Sequence, residues 1–168
     1  MSNSLWRLAP AALALAFLAG PILGQAAPDS GFSAMQARGQ QVMGVDQYSS
    51  HHVFEDLPDG GRIILVRDDP TDSLGVATIR AHLRSIAVAF AQGDFSDPEQ
   101  VHAHEVPGTR TMALLKDRIH YAASDRPGGG QLRISSSDTA AVAAIHDFLA
   151  FQRSDHHAAG HEGMEHRP

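Results

Sequence analysis

The sequence predicts an α+β fold in which two tandem α-β-β-α units form a four-stranded, mainly antiparallel sheet with helices packed on one face. Three observations lead to this prediction. Aligning the chain with itself at an offset of 69 positions gives eight identities without a gap. Each half contains a Pro-x-Gly-Gly segment between two short strand-like runs, which is typical of a tight hairpin. Each half also closes with a run whose apolar residues recur at helical spacing.

The first unit is predicted over residues 33–93. A short helix over 33–43 precedes a strand over 51–56 and a return strand over 62–67. The long helix that follows is expected to begin near 69–71, where Pro70 is tolerated because a first-turn N–H has no helical partner. Five apolar residues then recur at 3,4,3,4 spacing and predict one buried stripe: Val76, Ile79, Leu83, Ile86 and Phe90.

Hairpin geometry assigns the first two strands a face. A turn centred on Asp59-Gly60 places Phe54 opposite Leu65. Alternation along the strands then puts His52 on the helix-covered face and His51 on the other face.

The second unit is predicted over residues 109–153. A helix over 109–116 leads into strands over 119–124 and 131–135, and Asp138 is the expected N-cap of the last helix. The buried stripe of that helix comprises Val142, Ile145, Phe148 and Leu149. The connection over 93–109 is expected to be a loop, long enough to suggest a function.

The two ends of the chain differ from the domain over 27–153. Residues 1–26 resemble a cleaved secretory signal: Arg7 precedes an apolar run that is short of the ~20 residues a membrane span needs. Residues 154–168 lack apolar periodicity and are expected to be a disordered tail. The protein is therefore predicted to be periplasmic or secreted, with no membrane contact after signal cleavage. A net charge of −6 without a basic stripe argues against nucleic acid as a partner.

The chain contains 11 histidines and no cysteine. Disulfides are excluded, and a transition-metal site must use nitrogen, carboxylate oxygen or thioether. Neutral imidazole is the commonest protein ligand for copper, zinc and nickel. The histidine content therefore predicts a bound metal ion, with copper favoured and zinc or nickel as alternatives.

The histidine groups have different geometry. His51 and His52 begin a strand, so their rings should point to opposite faces and cannot easily share an ion. His102 and His104 would point the same way in an extended backbone and could clamp one ion. Short His-x-His patterns also arise by chance, and one strand histidine could simply cap the edge of the core.

Other candidate ligands have structural alternatives. Met43 and Met112 occupy matching places in the two units; thioether suits Cu(I), but both could be core residues. His82 lies on the flank of the first apolar stripe, where a local hydrogen bond is the usual role. His156 and His157 belong to the expected tail, which could bind metal loosely or remain solvated.

Four segments together resemble an uncharacterised family of small bacterial exported proteins: MGVDQYSSHHVFEDLPDGGRI, IRAHLRSIAVAFAQGDFSDP, VHAHEVPGTRTM and AIHDFLAFQRSDHH. The resemblance covers about residues 42–157. It implies a loose association with copper or heavy-metal handling and no established activity. The motif positions it carries over are Met43, His52, His82, His102, Met112, His146 and His156. His104 and the Gly-containing tail depart from the pattern, which puts a site built on them in doubt.

The sequence therefore predicts an exported transition-metal-binding protein that sequesters or delivers its ion. A haem or small-molecule module, with His82 or His146 lining a pocket between helices and sheet, is one alternative. A structural or partner-binding domain with incidental histidines is another. An enzyme stays open because a histidine site with a free position can activate water. The metal ion is the only partner predicted, and the oligomeric state is left open.

Overall fold

A computed structural model describes residues 30–158. Its elements, in chain order, are α1 (Ser30–Met43), β1 (Ser50–Leu57), β2 (Gly60–Arg67), α2 (Ser73–Ala91), α3 (Ser96–His102), α4 (Thr109–Leu114), β3 (Ile119–Arg126), β4 (Gly129–Ser136) and α5 (Thr139–Asp155). Short 3-10 turns at Gln47–Ser49 and Lys116–Arg118 precede β1 and β3. The expected signal segment and the last ten residues of the tail lie outside the described residues.

The four strands form one sheet in the order β1-β2-β4-β3, and every neighbouring pair is antiparallel. The helices pack on one side of it, so the predicted α+β architecture is confirmed. Both strands and the 3-10 turn of the second half begin 69 positions after their counterparts in the first half. The element order is therefore the same in the two halves.

The first hairpin has a different register from the predicted one. Phe54 pairs with Ile63, and Leu57 pairs with Gly60 across a two-residue loop. The predicted pairing of Phe54 with Leu65 is wrong by two residues, because the loop is Pro58-Asp59 and β2 begins at Gly60. A shift of two preserves the strand alternation, so the predicted faces of His51 and His52 hold.

Helix α2 begins later than expected. Asp72 is its N-cap, and the carboxylate accepts the backbone N–H of Gly75 at 2.9 Å. Pro70 lies in the preceding turn, where Asp69 accepts from the backbone N–H of Thr71. The predicted stripe is buried throughout. By length and composition α2 could span a membrane, the one such helix among residues 30–158, but a core helix passes the same test.

Helix α5 begins at its predicted N-cap, since Asp138 accepts from the backbone N–H groups of Ala140 and Ala141. It continues to Asp155, and ordered backbone extends through 158. The expectation that the disordered tail begins at 154 is therefore wrong for its first residues. They include His156, which packs against the core.

The connection between the units contains helix α3, which the prediction of a loop missed. Its first turn carries Asp97 and Glu99, whose charges favour a helix N-terminus. Pro98 is also compatible with a first turn, because the N–H groups there have no helical acceptor. This helix carries His102 at its last position.

The core lies between the sheet and the helices. Its central side chains include Leu65, Ile79, Leu132, Ile134, Ile145 and Phe148, each buried to 2 % exposure or less. Burial of each such side chain contributes about 1.5–3 kcal/mol relative to an exposed position. This core fixes the places of the strand and helix ends that surround the histidines.

Candidate histidine site

A cavity of about 80 Å³ lies between the helices and the sheet, and four histidines line it. His52 comes from β1, His82 from α2, His102 from the last turn of α3, and His156 from the residue that follows α5. Four separate elements therefore converge on one space. Most other lining residues are apolar, so this cavity is the place where imidazoles meet the core.

The rings form a row. The centre of the His156 ring lies 5.2 Å from that of His52, with the planes 21° apart. It lies 5.1 Å from the ring centre of His102, with the planes at 90°. His82 is close enough to His52 to affect its titration. His156 is thus the central member of the row.

The remaining polar groups of the cavity come from Met43, Gln47, Asp97 and Gln152. The Oε1 atom of Gln47 is buried without a hydrogen-bond partner. A Cβ on Gly39 would lie 1.3 Å from the Gln47 amide nitrogen, so the Gln47 side chain in its present position packs directly on the glycine backbone of α1. The cavity therefore offers nitrogen, amide oxygen, thioether and one nearby carboxylate.

His102 is held on both ring nitrogens. Nδ1 donates a hydrogen bond to Oδ2 of Asp155 at 2.5 Å, and the side chain of His102 is 1 % exposed. Nε2 lies 3.2 Å from Oε1 of Gln152. A half-turn of the Gln152 amide exchanges its oxygen and its NH₂, so this residue can serve a charged or a neutral ring.

Burial keeps two of the imidazoles neutral. Desolvation, with smaller effects from His82 and His51, lowers the pKa of His52 to about 4. Desolvation, followed by the neighbouring histidines, lowers the pKa of His156 to about 3. Burial also lowers the pKa of His82, which Asp97 opposes. Near neutral pH these rings present free nitrogen lone pairs, the form that binds metal ions.

Two backbone positions beside the cavity are left-handed. Ala103 follows His102 with φ 61°, and His157 follows His156 with φ 49°. Within residues 30–158 these are the two non-glycine residues with positive φ. Each costs about 1–2 kcal/mol in an L-residue. Both strained residues thus directly follow a cavity histidine at the end of a helix.

Some predicted residues lie outside the cavity. Nδ1 of His51 contacts a carboxylate oxygen of Asp68 on the open face of the sheet, where both side chains are 43 % exposed. His104 is exposed, and its Nδ1 donates to the carbonyl of Glu105. The expected extended His102-Ala103-His104 backbone is wrong, because His102 ends a helix and Ala103 is left-handed. Only His102 of this pair faces the cavity.

The other predicted residues take part in packing or in hydrogen bonds that hold the fold. His157 is exposed and stacks on Phe32 of α1, with ring centres 4.4 Å apart. Met112 is fully buried in the hydrophobic core and does not line the cavity, whereas its counterpart Met43 does. Nε2 of His146 donates to the carbonyls of Leu57 and Gly60 and so fastens the first hairpin turn.

Sequence reasoning missed the polar residues that accompany the histidines. Asp155 and Gln152 lie three residues apart on α5, and His156 follows directly, so helical spacing alone could have grouped them. Asp97 has no such signal in the sequence, because its closeness to His82 depends on the packing of α3.

Within residues 30–158 no three histidine, aspartate or glutamate side chains are already arranged about a common metal position. The chain matches no known family model, no curated protein and no solved structure in comparisons of sequence and fold. The functional argument therefore rests on the geometry of the site itself.

Proposed function

We propose that this protein binds a transition-metal ion in the histidine cavity, with His156, His102 and His52 as nitrogen ligands. The observation that carries the proposal is the row of rings spaced at 5.1 and 5.2 Å. Two imidazoles bound to one tetrahedral ion have ring centres roughly 5 Å apart, given metal–nitrogen bonds of about 2.0–2.1 Å. The ring nitrogens do not already converge among the described residues, so binding requires the rings to rotate about their side-chain bonds.

The free-energy costs present in the apoprotein support the proposal that an ion binds here. Burying an imidazole nitrogen without a partner costs about 1–3 kcal/mol, and Nδ1 of His156 is such an atom. The left-handed residues after His102 and His156 add further cost. A bound ion would satisfy the nitrogen lone pairs and offset these costs.

The electrostatic surroundings favour a cation. Helix α5 has 17 residues and ends beside His156, so the negative end of its dipole faces the cavity. Asp97 adds carboxylate charge at the cavity wall, and Asp155 adds a second carboxylate outside the cavity, against His102. Neutral imidazoles supply ligand atoms without adding repulsion.

The cavity volume discriminates between ligand classes. About 80 Å³ accommodates an ion with one or two water molecules. Pockets for drug-sized ligands span about 300–1,000 Å³, so this cavity by itself is too small to enclose haem. Among metals, copper leads the affinity order for such ligands, and the Met43 thioether suits its monovalent state. The expected signal segment would direct the chain to export. We therefore infer that the protein sequesters or delivers copper outside the cytoplasm, with zinc or nickel as alternatives.

The test uses the full chain carrying His161→Ala and His166→Ala, which removes two tail ligands. Titration with Cu(I) or Zn(II) against a competing chelator should show one tight site. At an ion concentration 100 times the dissociation constant, binding should stabilise the fold by about 2.7 kcal/mol. His52→Phe with His156→Phe should abolish this site, and His51→Ala with His104→Ala is the matched control. Equal binding by both double variants would refute the proposal.

A further inference from the structure

Asp155 makes the closest polar contact to any of the cavity rings. Its Oδ2 accepts the hydrogen bond from Nδ1 of His102 at 2.5 Å. A carboxylate accepts and does not donate, so the proton of this bond belongs to Nδ1. In a neutral His102 the lone pair is then on Nε2.

The placement of Asp155 also separates it from the ligand atoms. Its side chain is 39 % exposed, whereas that of His102 is 1 % exposed. Asp155 lines a surface pocket with Phe32 and Met35 of α1, on the outer side of His102. The histidine cavity is lined by His102 and Gln152 but not by Asp155. The carboxylate therefore contacts the ring from outside while Nε2 lies beside Gln152.

We propose that Asp155 is a positioning residue of the metal site, which fixes the His102 ring so that Nε2 meets the ion. This inference rests on the metal-binding function proposed above. This one contact has three effects. It keeps the proton on Nδ1, it fixes the orientation of the ring, and its negative charge makes Nε2 a stronger electron-pair donor to the ion. Loss of such an outer partner typically weakens metal binding by about 10–100-fold. In the apoprotein the side-chain amide of Gln152 contacts Nε2 of His102, and the ion displaces it on binding.

The test compares four variants by competition titration with Zn(II) or Cu(I). Asp155→Ala should weaken binding by about 10–100-fold, and Asp155→Glu, which keeps a carboxylate, should recover much of the loss. Asp155→Asn keeps the side-chain size and should also weaken binding, so a folding defect in the alanine variant does not decide the result. The control is Asp147→Ala, which removes an exposed carboxylate from the same helix.

A second readout follows the ring itself. Nitrogen-15 NMR of the wild-type protein should show His102 protonated on Nδ1, with the Nε2 resonance shifting on addition of diamagnetic Zn(II). An ion bound through Nδ1, or equal affinity in the Asp155→Ala and Asp147→Ala proteins, would overturn the positioning role while leaving metal binding intact. Absence of binding in the wild-type protein would overturn both.

Discussion

Ile63 pairs with Leu132 at the centre of the sheet, and the two residues are counterparts at the offset of 69 positions. The register is symmetrical on both sides of this pair, so β2 and β4 are related by an approximate twofold axis that passes through it. The long helices α2 and α5 can be compared by aligning their N-caps, Asp72 and Asp138. The two halves thus share one framework.

The histidine site departs from this symmetry. His52 corresponds to Tyr121 at the strand offset, and His156 corresponds to Phe90 when the helix N-caps are aligned. Tyr121 and Phe90 pack edge to face with ring centres 5.9 Å apart. An aromatic pair therefore stands at the positions that correspond to the two histidines, and each pair draws one residue from each half. Packing alone does not require the histidines.

The first prediction is that His156→Phe stabilises the apoprotein and eliminates metal binding. The change removes a buried nitrogen without a partner and copies the residue at the symmetry-related position. The gain in unfolding free energy should be about 1–2 kcal/mol. Urea unfolding of the apoprotein and chelator competition measure the two effects. A destabilised variant would show that His156 makes a favourable contact in the apoprotein.

The second prediction concerns pH. The pKa values of His52 and His156 are lowered to about 4 and 3 from 6.5, so the unfolded chain takes up protons that the folded chain does not. Their contribution to stability is complete above pH 6.5 and is lost as the pH falls toward 4. Because each pKa unit is worth about 1.4 kcal/mol, the loss should reach a few kcal/mol.

Urea unfolding between pH 7.5 and 4.5 measures this slope in the apoprotein. The variant with His52→Phe and His156→Phe should lose most of it, whereas His51→Ala should retain it. An unchanged slope in the double variant would assign the pH dependence to other groups.

The third prediction is that Ala103→Gly stabilises the protein. Glycine adopts the left-handed conformation without the steric cost that alanine pays, although it also gains freedom in the unfolded chain. The net gain should be about 0.5–1 kcal/mol, visible as a higher unfolding midpoint. Ala143→Gly, in the exposed middle of α5, should instead cost about 1 kcal/mol. A loss at both positions would contradict the strain at Ala103.

The fourth prediction separates His146 from the histidine site. His146→Ala removes the donor that satisfies the carbonyls of Leu57 and Gly60, so the unfolding free energy should fall by about 1–3 kcal/mol. Metal affinity should remain at the wild-type value, because His146 does not line the cavity. Reduced affinity in a variant that is folded at the assay temperature would contradict this separation.

Periodicity in the sequence was sufficient for the architecture. The stripe from Val76 to Phe90 predicted the buried face of α2, and alternation along β1 placed His52 under the helices despite a register error of two residues. These patterns are local, and a two-residue slip in a strand changes no face. The start of α2 was harder to predict, because Asp69 and Asp72 both accept hydrogen bonds from backbone N–H groups, as an N-cap does.

The site was predicted less well for a physical reason. His102, His82 and His156 were all candidates, but neither spacing nor composition could place them in one cavity, because α3 was not recognised as a helix. The pairing of His102 with His104 followed from an extended backbone that does not exist. Asp155 could not be linked to His102 without knowing that the ends of α3 and α5 meet.

The three proposed ligands lie at positions 52, 102 and 156, and the last of them follows the final helix. A chain emerging from the ribosome, or threaded in extended form through a translocation pore, has no such cluster until that helix has docked. An ion held by all three rings would therefore be acquired after folding is complete. The ratio of metal to protein in a purified sample would then measure the fraction of molecules that reached the native state.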